Sequence, residues 1–208
     1  ADPTVKITSG STSWIKGLTP FQMAVFRAKE DNIRAWMQYF PNYEVKHDDR
    51  NGFLGLTYMH VAAIGAVHAG PSMIKTMLEL RAHVSTKSYA GGTPLHIVVG
   101  SSVDCREDIV NELLRNGADV NSASIPQTRL FKQFAWICRK TVKVGDSDSL
   151  KVTMAIQAGS TPLHHAAKLG NLVAIEALLK ARADPKIRNT MGHTPLDIAA
   201  WMFREVPQ

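Results

Sequence analysis

Thr161-Pro162-Leu163-His164-His165-Ala166-Ala167 decides how this chain is read, because the same pattern recurs along it. Thr194-Pro195-Leu196-Asp197-Ile198-Ala199-Ala200 and Thr93-Pro94-Leu95-His96-Ile97-Val98-Val99 are close copies. Thr57-Tyr58-Met59-His60-Val61-Ala62-Ala63 and Thr19-Pro20-Phe21-Gln22-Met23-Ala24-Val25 are looser ones. The Thr-to-Thr steps are 38, 36, 68 and 33 residues. A second motif follows at matching offsets, in Leu113-Leu114-Arg115-Asn116-Gly117-Ala118-Asp119 and Leu178-Leu179-Lys180-Ala181-Arg182-Ala183-Asp184. Self-similarity at such a period marks stacked supersecondary units. The residues explain the unit. Thr161 can cap a helix, accepting from a free backbone N–H. Pro162 suits the first helical position, where a missing N–H costs nothing. Leu163, Ala166 and Ala167 form a narrow apolar stripe, and Gly170 ends the helix. Leu172 to Lys180 supplies Val173, Ile175, Leu178 and Leu179 to a core, and Asp184-Pro185 breaks the helix. No unit can bury its apolar face alone, so the units must stack.

This pattern resembles the ankyrin repeat, a unit of about 33 residues with T-P-L-H-x-A-A early and L-L-x-x-G-A-D later. The resemblance covers about Gly17 to Phe203, with one interruption. It implies an all-α solenoid of stacked helix-turn-helix units with finger-like turns. Residues 1–208 then form a single domain, with repeats near 17–54, 55–91, 92–121, 159–191 and 192–208 and an irregular basic segment over 122–158.

The departures from the period are informative. The first step is long because a finger is extended over Pro41 to Gly55, carrying His47, Asp48, Asp49, Arg50 and Asn51. The second-helix positions of the next two units fall three residues late, which predicts longer turns at Gly65 to Pro71 and Gly100 to Cys105. The step of 68 residues leaves two readings open. Thr128-Arg129-Leu130 falls in register for a degenerate repeat. The second helix would then land on Gly145-Asp146-Ser147-Asp148-Ser149, which favours an insertion. Pro126 to about Val142 reads as an amphipathic helix. Leu130, Phe131, Phe134, Ile137 and Cys138 form its apolar side, and Arg129, Lys132, Arg139, Lys140 and Lys143 its polar side. Leu150 to Ile156 fits a short helix or a strand.

Composition narrows the class. The 208 residues are 45% hydrophobic, 20% charged and 7% aromatic, which excludes a disordered or collagen-like chain. Cys105 and Cys138 are too few for a disulfide scaffold and fit free thiols in a reducing, intracellular compartment, cytoplasm or organelle interior. No apolar run is long enough to span a membrane. The net charge of +6 is concentrated: residues 122–158 carry +4 and residues 92–121 carry −3.

Catalytic signatures are missing: no phosphate-binding Gly loop, no G-x-S-x-G, no H-E-x-x-H and no paired cysteines. His164 and His165 are neighbours on a helix, about 100° apart, so they do not converge on one metal ion. His60, His96 and His164 share one repeat position, which the resemblance makes structural. Cys105 beside Arg106 reads as a plain thiol. Asn121 matches the family position open to hydroxylation. No catalytic residue, metal or cofactor is expected.

The resemblance implies binding through finger tips and the concave face of the inner helices. The finger candidates are Lys87, Ser88 and Tyr89, then Arg188, Asn189, Thr190 and Met191. The groove candidates are Met23, Arg27, Val61, Ile64, Ile97, His165, Lys168 and Trp201. Arg129, Lys132, Arg139 and Lys140 add a basic surface suited to an acidic partner. Trp14 and Ile15 can shield one end of the stack, and Trp201-Met202-Phe203 leaves the other open to a continuing chain or a capping protein. The expected function is a non-enzymatic protein–protein interaction module, an adaptor or an accessory or scaffold subunit of a larger assembly. The alternatives are a recognition domain of a larger multidomain enzyme or channel and, less favoured, a nucleic-acid binder using the basic segment, which lacks interleaved exposed aromatics.

Overall fold

The computed structural model describes residues 19–27, 29–40, 50, 54–101, 107–143 and 149–203, and the regular elements among them are α-helices. The paired helices are α1 (Pro20–Phe26) with α2 (Glu30–Tyr39), α3 (Tyr58–Ala69) with α4 (Ser72–Glu79), and α5 (Pro94–Ser101) with α6 (Glu107–Arg115). Then come α7 (Arg129–Thr141), α8 (Ser149–Gln157), the pair α9 (Pro162–Leu169) and α10 (Leu172–Lys180), and α11 (Pro195–Met202). The inner helices stack in the order α1, α3, α5, α9, α11, and the outer ones in the order α2, α4, α6, α10. One core runs from α1 to α10, and Ile198 of α11 packs in a second, smaller cluster with α8. Phe21, Met59, Leu95 and Leu163 come from inner helices, and Ile33, Met77, Leu113 and Leu178 from outer ones. Each such side chain, removed from water, contributes roughly 1.5–3 kcal/mol.

The repeat motif is a capping device. In each unit the backbone N–H of the Thr donates to the side chain three residues on: Gln22 Oε1 at 2.8 Å, His60 Nδ1 at 3.2 Å, His96 Nδ1 at 3.1 Å, His164 Nδ1 at 3.1 Å and Asp197 Oδ2 at 2.8 Å. Because Nδ1 accepts in the three histidines, Nε2 carries the proton. It donates to a carbonyl of the next unit: Gly92 at 2.9 Å, Ser160 at 3.1 Å and His193 at 3.0 Å. The histidines therefore cap their own helix and tie it to its neighbour. Burial lowers the pKa of His60 and of His96 to about 4 and lowers that of His164.

The choice between degenerate repeat and insertion is resolved by one finger. In the finger after α4, Ser88 N–H donates to Gly92 O and Gly91 N–H to Ser88 O, both at 2.9 Å. In the finger after α10, Asn189 N–H donates to His193 O and Gly192 N–H to Asn189 O at the same distances. In the finger after α6, Ser124 N–H donates to Ser160 O and Gly159 N–H to Ser124 O, both at 2.8 Å. Gly91, Gly159 and Gly192 all take the positive φ that this corner requires. The finger is thus complete, but its tip is replaced by residues 125–158. With a two-residue tip such as Tyr89-Ala90 in place of those residues the step of 68 residues becomes 36, the length of the step before it. α5 packs directly on α9, and α6 on α10, across the gap in sequence.

The insertion is a helical hairpin, with α7 packed on α8. Thr128 caps α7, accepting from Phe131 N–H, so the helix starts after the expected Pro126. Leu150 to Ile156 is helical, within α8. Only Phe131, Ala135 and Cys138 of α7 are buried, so Leu130, Phe134 and Ile137 do not join the core as their apolar character suggests. The expected long turn at Gly65 to Pro71 is also corrected. The extra residues lengthen α3 to 12 residues, and only Gly70 and Pro71 separate it from α4. An alanine-rich run has no reason to stop at Gly65. Gly100 and Ser101 close α5 rather than opening the expected turn, and the rest of that turn to Cys105, the finger from His47 to Asn51 save Arg50, and Trp14, Ile15 and Arg106 lie outside the described residues.

Candidate functional site

The groove candidates are turned to other uses. His165 is half-buried, its ring edge-on to His96 with centroids 5.1 Å apart. A Cβ on Gly100 would lie 3.1 Å from His165 Nδ1, so the glycine of the preceding unit makes room for the ring. Burial holds the His165 pKa well below the usual imidazole value. Lys168 Nζ donates to Thr153 Oγ1 of α8 at 2.6 Å, and burial lowers its pKa. Trp201 packs with Ile198 against Val152 and Ile156 of α8. The insertion therefore covers the concave face at the last units. Val61 belongs to the core, and Ile97 packs against it.

Several finger candidates are also structural. Lys87 Nζ donates to Ala123 O at 2.8 Å, fixing the next finger. The Tyr89 ring lies over Gly55, where a Cβ would overlap it, and the Arg50 guanidinium sits 5.8 Å from its centroid. Asn189 is buried: its Oδ1 accepts from Met191 N–H at 3.0 Å and His193 N–H at 3.1 Å, and its Nδ2 donates to Ile156 O at 3.2 Å. A partner cannot reach it without opening the finger. Asn121 Oδ1 accepts from Asp184 N–H at 2.8 Å.

The remaining candidates come together. Arg188 and Met191 of the last finger, with Trp201, line a cleft of about 500 Å³ whose other walls are Val142, Gly192, His193, Asp197 and Ala200. A neighbouring hollow of about 430 Å³ shares Met191 and is lined by Trp136, Arg139, Lys140 and Thr190. Residues from α7, the last finger and α11 thus form one surface. Its cations are Arg139, Lys140 and Arg188, and its acid is Asp197. The Thr194 backbone N–H and hydroxyl hold the Asp197 carboxyl below its usual range. Arg188 is already committed, donating to Gly192 O at 2.6 Å and pairing with Asp197 at 3.5 Å. Arg129, Lys132, Arg139 and Lys140 have no acidic partner among the described residues. Arg129 and Lys132, both exposed, lie in the first turn of α7, outside the cleft lining.

Residue-type reasoning overlooked Trp136, His193 and Asp197. Trp136 could have been found as the aromatic that falls among the cations of α7 rather than on its apolar side. Beside the cleft, buried His193 Nδ1 and Trp201 Nε1 have no hydrogen-bond partner among the described residues. Among the described residues no group of His, Cys, Asp or Glu could hold a metal ion, and no helix is long and apolar enough to cross a membrane.

Comparison with known proteins agrees with this geometry. The model for many-copy ankyrin repeats matches residues 154–199, and the single ankyrin repeat model matches residues 90–125. The interval left between them falls within the insertion. The chain is 31% identical over 151 residues to tyrosine-protein kinase HTK16 of Hydra vulgaris, covering 69% of this chain and 19% of the kinase. It is 27% identical over 187 residues to the B-cell lymphoma 3 protein homolog of Mus musculus, covering 87% of this chain and 39% of that protein. It is 28% identical over 130 residues to the mitochondrial disaggregase of Bos taurus, covering 61% of this chain and 19% of that protein. The chain thus spans only a fifth to two fifths of the length of these relatives. Ankyrin repeats are non-catalytic interaction modules. The repeated caps, the histidine ties between stacked units and both family models converge: the chain is an ankyrin-repeat protein.

Proposed function

We propose that residues 1–208 act as one protein-binding domain, an adaptor or accessory subunit of a larger assembly, that recognises an acidic partner through the insertion and the last finger. One observation carries this reading: α8 covers the concave face at the last units, while Arg139 and Lys140 of α7, without an acidic partner among the described residues, open with Trp136 onto a hollow that shares Met191 with the cleft of Trp201. Aromatic, Met and Arg side chains are the types enriched where partners dock. An intracellular setting fits the cysteine-poor sequence. The same module can serve as the recognition part of a longer protein, a reading favoured by the greater length of the relatives.

Affinity capture from the native source tests the proposal. Arg139→Glu with Arg188→Glu should lose the partner held by the unaltered chain, while Arg115→Glu on α6 should retain it. Capture unchanged by the double reversal would refute the cleft as the binding surface.

A further inference from the structure

The second exposed face of α7 has a composition of its own. Leu130, Phe134 and Ile137 are 58%, 39% and 51% exposed. Their spacing of four and then three residues places them on one stripe of the helix, with Thr141 next in line. It is the spacing of a coiled-coil seam, and it lies about a quarter turn round the helix from Phe131, Ala135 and Cys138, which hold α7 to its own fold. Arg129, Gln133 and Lys140 run along one flank of the stripe, and neither cation is paired among the described residues.

We propose that this stripe docks a helix of a partner protein, apolar at seam spacing and acidic along the edge that meets Arg129 and Lys140. The inference rests on the protein-binding reading above but uses a different face of α7 from the cleft, and the two share only Lys140, at their border. Charge decides between occupants. In an antiparallel pair a second copy of α7 would set Arg129 against Lys140, and like charges across a seam select against pairing; in a parallel pair this flank would meet the side of Phe131 and Cys138, which the protein's own fold already occupies. An anionic bilayer fits less well. At about 100° per residue, Trp136 lies a quarter turn or more from each member of the stripe, so the helix cannot sink both into one interface. A partner helix needs only the stripe and one charged edge, and the stripe offers two turns of it.

The test uses the full chain and two synthetic helices of three heptads, each with Leu at the seam positions and either Glu or Lys at the flanking ones. The Glu peptide should bind at least about tenfold more tightly than the Lys peptide at low salt. Leu130→Ser with Phe134→Ser and Ile137→Ser should weaken it by about tenfold or more while the helical circular dichroism is retained, since each of these side chains is exposed. Arg129→Glu with Lys140→Glu should reverse the preference toward the Lys peptide, which keeps the proposal testable if the triple variant misfolds. Arg139→Glu with Arg188→Glu, on the cleft, should leave peptide binding intact, so failure at the cleft and failure at the stripe read out separately. Equal binding of the two peptides, or none, overturns the proposal. So does stripe-dependent binding to phosphatidylserine vesicles, or a stripe-dependent dimer in sedimentation.

Discussion

Acid should unfold this protein through its repeat histidines before its carboxylates titrate. His60 and His96 are buried with both ring nitrogens engaged, and burial lowers each pKa from 6.5 to about 4. Protonating either ring places a second proton on Nδ1, which then can no longer accept the Thr N–H. Between about pH 6.5 and about pH 4 the unfolded chain therefore binds more protons than the folded one. Stability is complete above that window and falls as pH drops through it. Between about pH 7.5 and about pH 5 each histidine removes roughly 2 kcal/mol, and the pair roughly 4 kcal/mol. His164 and His165 shift in the same direction and add to the loss. The assay is urea unfolding followed by circular dichroism across that range. His96→Gln, which keeps an acceptor for the Thr93 N–H, should reduce the pH-dependent loss by roughly 2 kcal/mol. A loss below about 1 kcal/mol in the unaltered protein would refute the account, because neutral rings buried to this degree must respond to acid.

Two further changes probe the finger and the insertion. Asn189→Ala strands the N–H groups of Met191 and His193, and should cost about 2–4 kcal/mol in urea unfolding; a cost under about 0.5 kcal/mol would mean the side chain is solvated instead. Replacing residues 125–158 with a Tyr-Ala dipeptide, the tip of the finger after α4, should leave a cooperative helical fold. It should cost roughly 2–4 kcal/mol, because Ile198 and Trp201 lose Val152 and Ile156; collapse of the helical signal would show that the insertion is a structural layer.

The stack was legible because each unit spells its own cap. Thr161 and His164 need only four residues to make their bonds, and that local grammar survives even where Gln22 or Asp197 replaces the histidine. The insertion boundary was legible in part. Val84 to Ser88 and Val120 to Ser124 keep the 36-residue register, and Gly159-Ser160-Thr161 restores the pattern of Gly91-Gly92-Thr93. The side-chain roles were less accessible. His165 points at His96 because Gly100, in another unit, has no Cβ to block it. Asn189 looks like a finger-tip contact, but its amide is consumed by the hairpin that bends around it. Lys168 and Trp201 sit at groove positions, and only the path of a chain segment that precedes them covers that groove.

That path separates stability from specificity. Both ends of the insertion are pinned by the finger's own bonds, Ser124 N–H to Ser160 O and Gly159 N–H to Ser124 O. His96 then ties its unit to the Ser160 carbonyl just beyond the return. The solenoid thus closes across residues 125–158 without depending on their sequence. Those residues can carry an exposed apolar stripe and cations without an acidic partner among the described residues, which within a repeat would cost packing. The +4 of residues 122–158 lies where the core does not have to accommodate it. A surface change there should move partner affinity with little effect on the urea midpoint, whereas a change at Thr93 or His96 should do the reverse. Measuring both quantities on the α7 and His96 variants separates the two roles, and a common shift in both would contradict the separation.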